Sequence, residues 1–111
     1  RDVVRERIGG SLKADMTIEE IVKKVSEISS VPEKEIVGKS RKMEIAHARQ
    51  VSMFLSREIL GKSLSGIGMY FGGRDHTTVM HAIKTISEKV DTDDVISNTI
   101  SKLRTDLNQS F

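Results

Sequence analysis

The chain has no cysteine. That absence removes disulfides, thiolate zinc sites and cysteine nucleophiles together, and it fits a reducing cytoplasm. No apolar run approaches the roughly 20 residues of a membrane span. No basic flank leads into an apolar h-region, so no secretory signal is read. Proline occurs once and glycine eight times in 111 residues. With helix breakers this scarce and no strand-like alternation anywhere, the expected fold is all-α. The length suits one domain, and 37% apolar with 31% charged residues is ordinary for a soluble one.

Net charge is only +2, but it is unevenly spread. Residues 1–38 carry seven Lys/Arg against eight Asp/Glu, a balance of −1; residues 39–89 carry nine against four, +5; residues 90–111 carry two against four, −2. A basic middle between mildly acidic ends suits a polyanion such as DNA.

The first dozen residues, Arg1 to Leu12, read as a short helix (Val3, Val4, Ile8) ending at Gly9-Gly10, too small in its apolar face to fold alone. The domain proper is expected over 16–111. Thr17-Ile18-Glu19-Glu20 is a capping box, and Ile18, Ile21, Val22, Val25 and Ile28 form one helical face ending near Ser29. Pro32 to Val37 reads as a short turn closed by Gly38. After the basic stretch Lys39-Ser40-Arg41-Lys42, a long helix is expected from Met43 to Leu60, with Ile45, Ala48, Val51, Phe54, Leu55 and Ile59 inward. Lys42, Arg49 and Arg57 project within roughly 100° of one another on such a helix, with Gln50 in the same sector. Gly61 fits a C-cap and Ser63 an N-cap for a short helix holding Leu64, Ile67 and Phe71. Gly72-Gly73 breaks that helix, and Asp75 is placed to cap the next. This next helix sets Val79, Ala82, Ile83, Ile86 and Val90 against Thr77, Met80, His81 and Lys84. A last helix runs from about Asp93 to Leu107 with Val95, Ile96, Ile100, Leu103 and Leu107 as its stripe. The sum is five to six helices.

A short apolar helix, a glycine turn and a second helix with polar residues at its start form a helix-turn-helix pattern. In that arrangement the second helix enters the major groove, its first residues meeting base edges. Here those residues are Arg74, Asp75, His76, Thr77 and Thr78. Asp75 can accept from a cytosine amino group, and Thr77 can bond an adenine edge or pack on a thymine methyl. Other chemistries fit poorly. His76 and His81 diverge by about 140° on a helix and share an ion badly, so no metal is expected. Gly68 and Gly72-Gly73 lack the Lys-Ser/Thr of a phosphate loop. Asp75-His76 has no nucleophile beside it. Met53 and Met80 read as packing, His81 is left open between core edge, phosphate contact and no role, and Asp75 is reader or mere cap.

The run I-G-M-Y-F-G-G-R-D-H-T-T-V-M-H-A-I, Ile67 to Ile83, resembles the signature of the C-terminal DNA-binding domain (domain IV) of the bacterial replication initiator DnaA. Ala46 to Glu58 is similar to the arginine-glutamine helix of that family, and the resemblance spans about Thr17 to Val90. It implies origin binding at DnaA boxes. Arg41 matches a basic-loop arginine in the minor groove, and Asp75, His76 and Thr77 match major-groove readers. Lys39, Lys42, Arg49, Gln50, Arg57, Ser63, Leu64, Arg74, Thr78 and Lys84 fall at phosphate-contacting positions. Two places depart from the pattern. Ser65-Gly66 replaces Pro-Glu, removing a proline that meets a thymine methyl, and Ala46-His47-Ala48 replaces A-R-P, removing a charge near the backbone. The resemblance further implies an AAA+ ATPase upstream, with residues 1–15 as the end of its linker. ATP and Mg would bind there, so no enzyme activity and no cofactor are expected in this chain. The implied setting is the bacterial cytoplasm at the nucleoid. The isolated domain would be monomeric, and the full-length protein would self-assemble at the origin. Two other readings compete. One is a transcription-factor-type helix-turn-helix dimer on a palindrome, disfavoured because only the terminal helix offers an apolar seam. The other is a helical module whose basic face meets an acidic protein.

Overall fold

A computed structural model describes residues 16–108, so the expected helix within 1–15 lies outside the described residues. Six helices occur among the described residues: α1 (Ile18–Ser29), α2 (Glu33–Ile36), α3 (Met43–Leu60), α4 (Leu64–Tyr70), α5 (His76–Thr92) and α6 (Asp94–Asn108). No strand occurs among the described residues, and no helix there is long and apolar enough to cross a membrane. The fold is all-α.

Local chemistry accounts for most boundaries. The capping box forms as its spacing requires: Glu20 N donates to Thr17 Oγ1 and Thr17 N donates to Glu20 Oε1, both at 3.3 Å. Gly61 ends α3 in the left-handed region at φ 64°, where a side chain is disfavoured. The expected turn at 32–37 winds one helical turn after Pro32.

Helix α3 is the hub, packing against α1, α2, α4 and α5, while α6 covers α5 and α1. Its buried set is wider than a single stripe: Ile45, Ala48, Val51, Met53, Phe54 and Leu55 are joined by Ser52 and Ser56. Both serine hydroxyls donate one turn back, to Ala48 O at 2.9 Å and Ser52 O at 2.8 Å, so neither is buried unpaired. Ile67, Phe71, Val79 and Ile86 lock the helix-turn-helix unit onto this hub and have no exposed surface. Val95 departs from the expected stripe and is 74% exposed. It sits about 100° round α6 from Ile96, on the flank that α5 and α1 do not cover.

Candidate nucleic-acid interface

The glycine turn sets the entry of α5. Gly73 N and Arg74 N both donate to Gly68 O, at 3.0 and 2.9 Å, drawing the chain back across α4. The approach leaves no room for a side chain at Gly68, whose Cβ would collide with the Arg74 carbonyl. Gly72 and Gly73 follow at φ 88° and 78°, a left-handed pair that side-chain-bearing residues rarely adopt. Asp75 then caps α5, its Oδ1 accepting from Thr78 N at 2.9 Å. The Thr78 amide, then the Thr78 hydroxyl, hold the Asp75 carboxyl below its ordinary pKa. Asp75 is therefore an ionised, acceptor-only group at neutral pH.

An open cleft of about 790 Å³ runs between this turn and the basic loop. Its walls bring together Lys39 and Arg41 from the loop, Gln50 from α3, and Asp75, Thr77, Thr78 and His81 from α5. His76 and Lys84 are exposed on α5, with Lys84 seven residues after Thr77 and hence on its face. Arg57 is exposed seven residues after Gln50, and its Nη1 donates to Lys62 O at 2.8 Å. Lys42 is exposed at the N-cap of α3. Ser63 caps α4 by accepting from Gly66 N at 2.9 Å, with Leu64 half-buried beside it. Neither Ser63 nor Leu64 lines the cleft.

Three expectations are corrected. Arg49 does not project with Lys42 and Arg57. It is 6% exposed, and its Nε, Nη1 and Nη2 donate to Ile36 O (2.7 Å), Ser40 O (2.9 Å) and Glu35 O (3.0 Å). Burial, then the nearby Arg74 cation, push its pKa below the ordinary value, and Glu35 partly opposes them. Three of its five donors thus serve the fold. Arg74 is half-buried and donates to Phe71 O and Gly38 O, although both arginines still line the cleft. Met80 is no packing residue: it is 51% exposed, whereas Met53 is 2% exposed. The helical period sets Met80 about 100° round α5 from Val79, off the buried stripe.

His47, which stands at the charge missing from the basic helix, is half-buried on α3. Desolvation, then Lys89, lower its pKa from 6.5, with Asp93 opposing. The unfolded chain therefore binds more protons just below pH 6.5, so this stabilising contribution is complete above 6.5 and lost as pH falls. Denaturant midpoints taken from about pH 7 to 5 should drop more for the wild type than for His47→Gln. Parallel curves would show that His47 has the same pKa folded and unfolded.

No cluster of three or more His, Asp or Glu that could hold a metal ion occurs among the described residues. Residues 18–86 match the family model described as the bacterial dnaA protein helix-turn-helix. The chain is similar to the chromosomal replication initiator protein DnaA of Chlorobaculum tepidum, at 43% identity over 89 residues, 80% of this chain and 18% of that protein. It is 38% identical to the Cereibacter sphaeroides (strain ATCC 17029) protein of the same name over 106 residues, 93% of this chain and 23% of the relative. A crystal structure of a DNA replication initiation factor superposes with a TM-score of 0.77 at 26% identity, covering 91% of this chain and 31% of that one. The chain thus spans about a fifth of the length of these two relatives. A match across most of the described helices, on the very turn and helix that build the cleft, means that this chain belongs to the bacterial DnaA helix-turn-helix family.

Proposed function

We propose that this domain binds double-stranded DNA sequence-specifically at a replication origin, as the DNA-binding module of a chromosomal initiator. The observation that carries the reading is the cleft, where a basic loop meets the capped start of an exposed helix. A helix about 10–12 Å across fits a major groove about 12 Å wide. In this reading α5 lies in the major groove with Asp75, His76 and Thr77 at base edges of a DnaA box, and Arg41 enters the adjacent minor groove. Lys39, Lys42, Gln50, Arg57, Thr78 and Lys84, with the Ser63–Leu64 segment, meet the phosphates and fix register without reading sequence. ATP hydrolysis with Mg, and assembly at the origin, belong to an upstream domain. The module itself acts as a monomer on an asymmetric site in the bacterial cytoplasm.

Four cations meeting phosphates, with Arg41 in the groove beside them, give a log–log salt slope of about −4. Titration of an origin duplex at several salt concentrations measures it, and Arg57→Ala should make the slope shallower by roughly 1 on every duplex. A slope near zero would leave the basic face without a nucleic-acid role.

Thr77 is exposed in the cleft and Val79, two residues on, is wholly buried. Thr77→Ala should keep the melting temperature and lose about 1–3 kcal/mol of discrimination between an origin site and a scrambled duplex. Val79→Ala should lower stability by about 1–3 kcal/mol and touch binding only through folding. Full discrimination retained by Thr77→Ala would remove it from the base-reading set.

A further inference from the structure

Residues 38–42, between α2 and α3, have no regular secondary structure. Within them, Lys42 N donates to Ser40 Oγ at 3.3 Å, a long bond. The firmer ties come from elsewhere in the fold. Arg74 Nη2 donates to Gly38 O at 2.8 Å, while its Nε donates to Phe71 O at 3.0 Å. One planar guanidinium thus joins the start of the basic loop to the glycine turn, across 36 residues of sequence. The loop also rests on that turn: a Cβ on Gly72 would lie 3.5 Å from Val37 O and 3.9 Å from Lys39 Cε. Arg49 holds the other side of the loop through Ser40 O.

We propose that Arg74 is a positioning residue that locks the loop carrying Arg41 to the turn that launches α5. The two sets of DNA-facing groups then keep a fixed spacing before they meet the duplex. This rests on the duplex-DNA reading above. A loop left free would lose its conformational freedom on binding and weaken affinity, whereas a loop held by two arginines loses it on folding. The fork geometry matters, because a single ammonium cannot reach two carbonyls in the guanidinium plane.

The test uses Arg74→Gln in the whole chain, with Arg74→Lys measured alongside in case the glutamine variant fails to fold. Amide exchange and relaxation of residues 38–42 are measured first, without DNA. Loss of order in that loop is expected while the buried α3 and α5 amides stay protected. Affinity for an origin duplex should then fall about tenfold, the scale of one charged hydrogen bond, with the salt slope unchanged. In an Arg41→Ala background that loss should shrink, because one of the loop's misplaced groups is already gone. Arg74→Lys should fall between wild type and Arg74→Gln. A slope shallower by about 1 with the loop still ordered would make Arg74 a direct phosphate contact and overturn the proposal. So would a full tenfold loss persisting beside Arg41→Ala, or a loop and an affinity both unmoved. Failure of the wild type to bind any duplex would sink the DNA reading separately, since loop order is read without DNA.

Discussion

Arg49→Met is expected to lower the stability of the folded domain by about 2–4 kcal/mol, the scale of losing charged hydrogen bonds to backbone carbonyls in a sheltered site. The apolar stem survives in methionine, so the loss isolates the guanidinium. Ile36 O, Ser40 O and Glu35 O each lose a donor, and the first of these bonds is fully buried. Glu35 O keeps the Gly38 N–H at 3.1 Å and water reaches Ser40 O more easily, so the loss stays below the cost of three buried orphans. Arg49→Lys should recover only part of the loss, since one ammonium cannot span three diverging carbonyls. Chemical denaturation of the three proteins measures the difference. Were Arg49 chiefly a phosphate contact, Arg49→Met would melt with the wild type and make the salt slope of DNA binding shallower by about 1.

Gly68→Ala should cost about 3 kcal/mol or more, at or beyond the upper end of overpacking penalties. The added methyl would meet the Arg74 carbonyl oxygen and carbon, with Val79 Cγ2 at 3.5 Å behind them. Backbone cannot swing aside as a flexible side chain can, so the turn must open. Opening it breaks the bonds from Gly73 N and Arg74 N to Gly68 O and displaces Asp75 from its capping position. DNA binding should therefore collapse together with stability. Gly66→Ala is the matched control on the same short helix. Its Cβ would lie 3.1 Å from Ser63 Oγ, a side-chain atom at an exposed helix start. The gain in helix propensity, at most about 1 kcal/mol, offsets that contact, so Gly66→Ala should stay within about 1 kcal/mol of wild type. Equal melting of the two alanine variants would mean that α4 and α5 pack less closely than the turn requires.

Features that depend on neighbours within about one helical turn are legible along the chain. The Thr17–Glu20 box, the Asp75 cap, the Gly61 stop and the Met43–Leu60 helix involve partners three or four residues apart, and each stands where spacing put it. Hydrophobic period likewise put Val79 and Ile86 inside and Thr77 outside, because the angle round a helix follows from counting. The fate of the arginines was a tertiary matter. Lys42, Arg49 and Arg57 share one sector of α3, and a helical wheel treats them alike. Yet only Arg49 faces the carbonyls of a segment 9 to 14 residues earlier in the chain. Arg74 begins the apparent reading sequence and is instead bound to Gly38, 36 residues away. A wheel gives direction but not what stands there. A guanidinium aimed at water stays available to a phosphate, and one aimed at backbone carbonyls is held by them. That choice is made only when the loop, the turn and α3 come together.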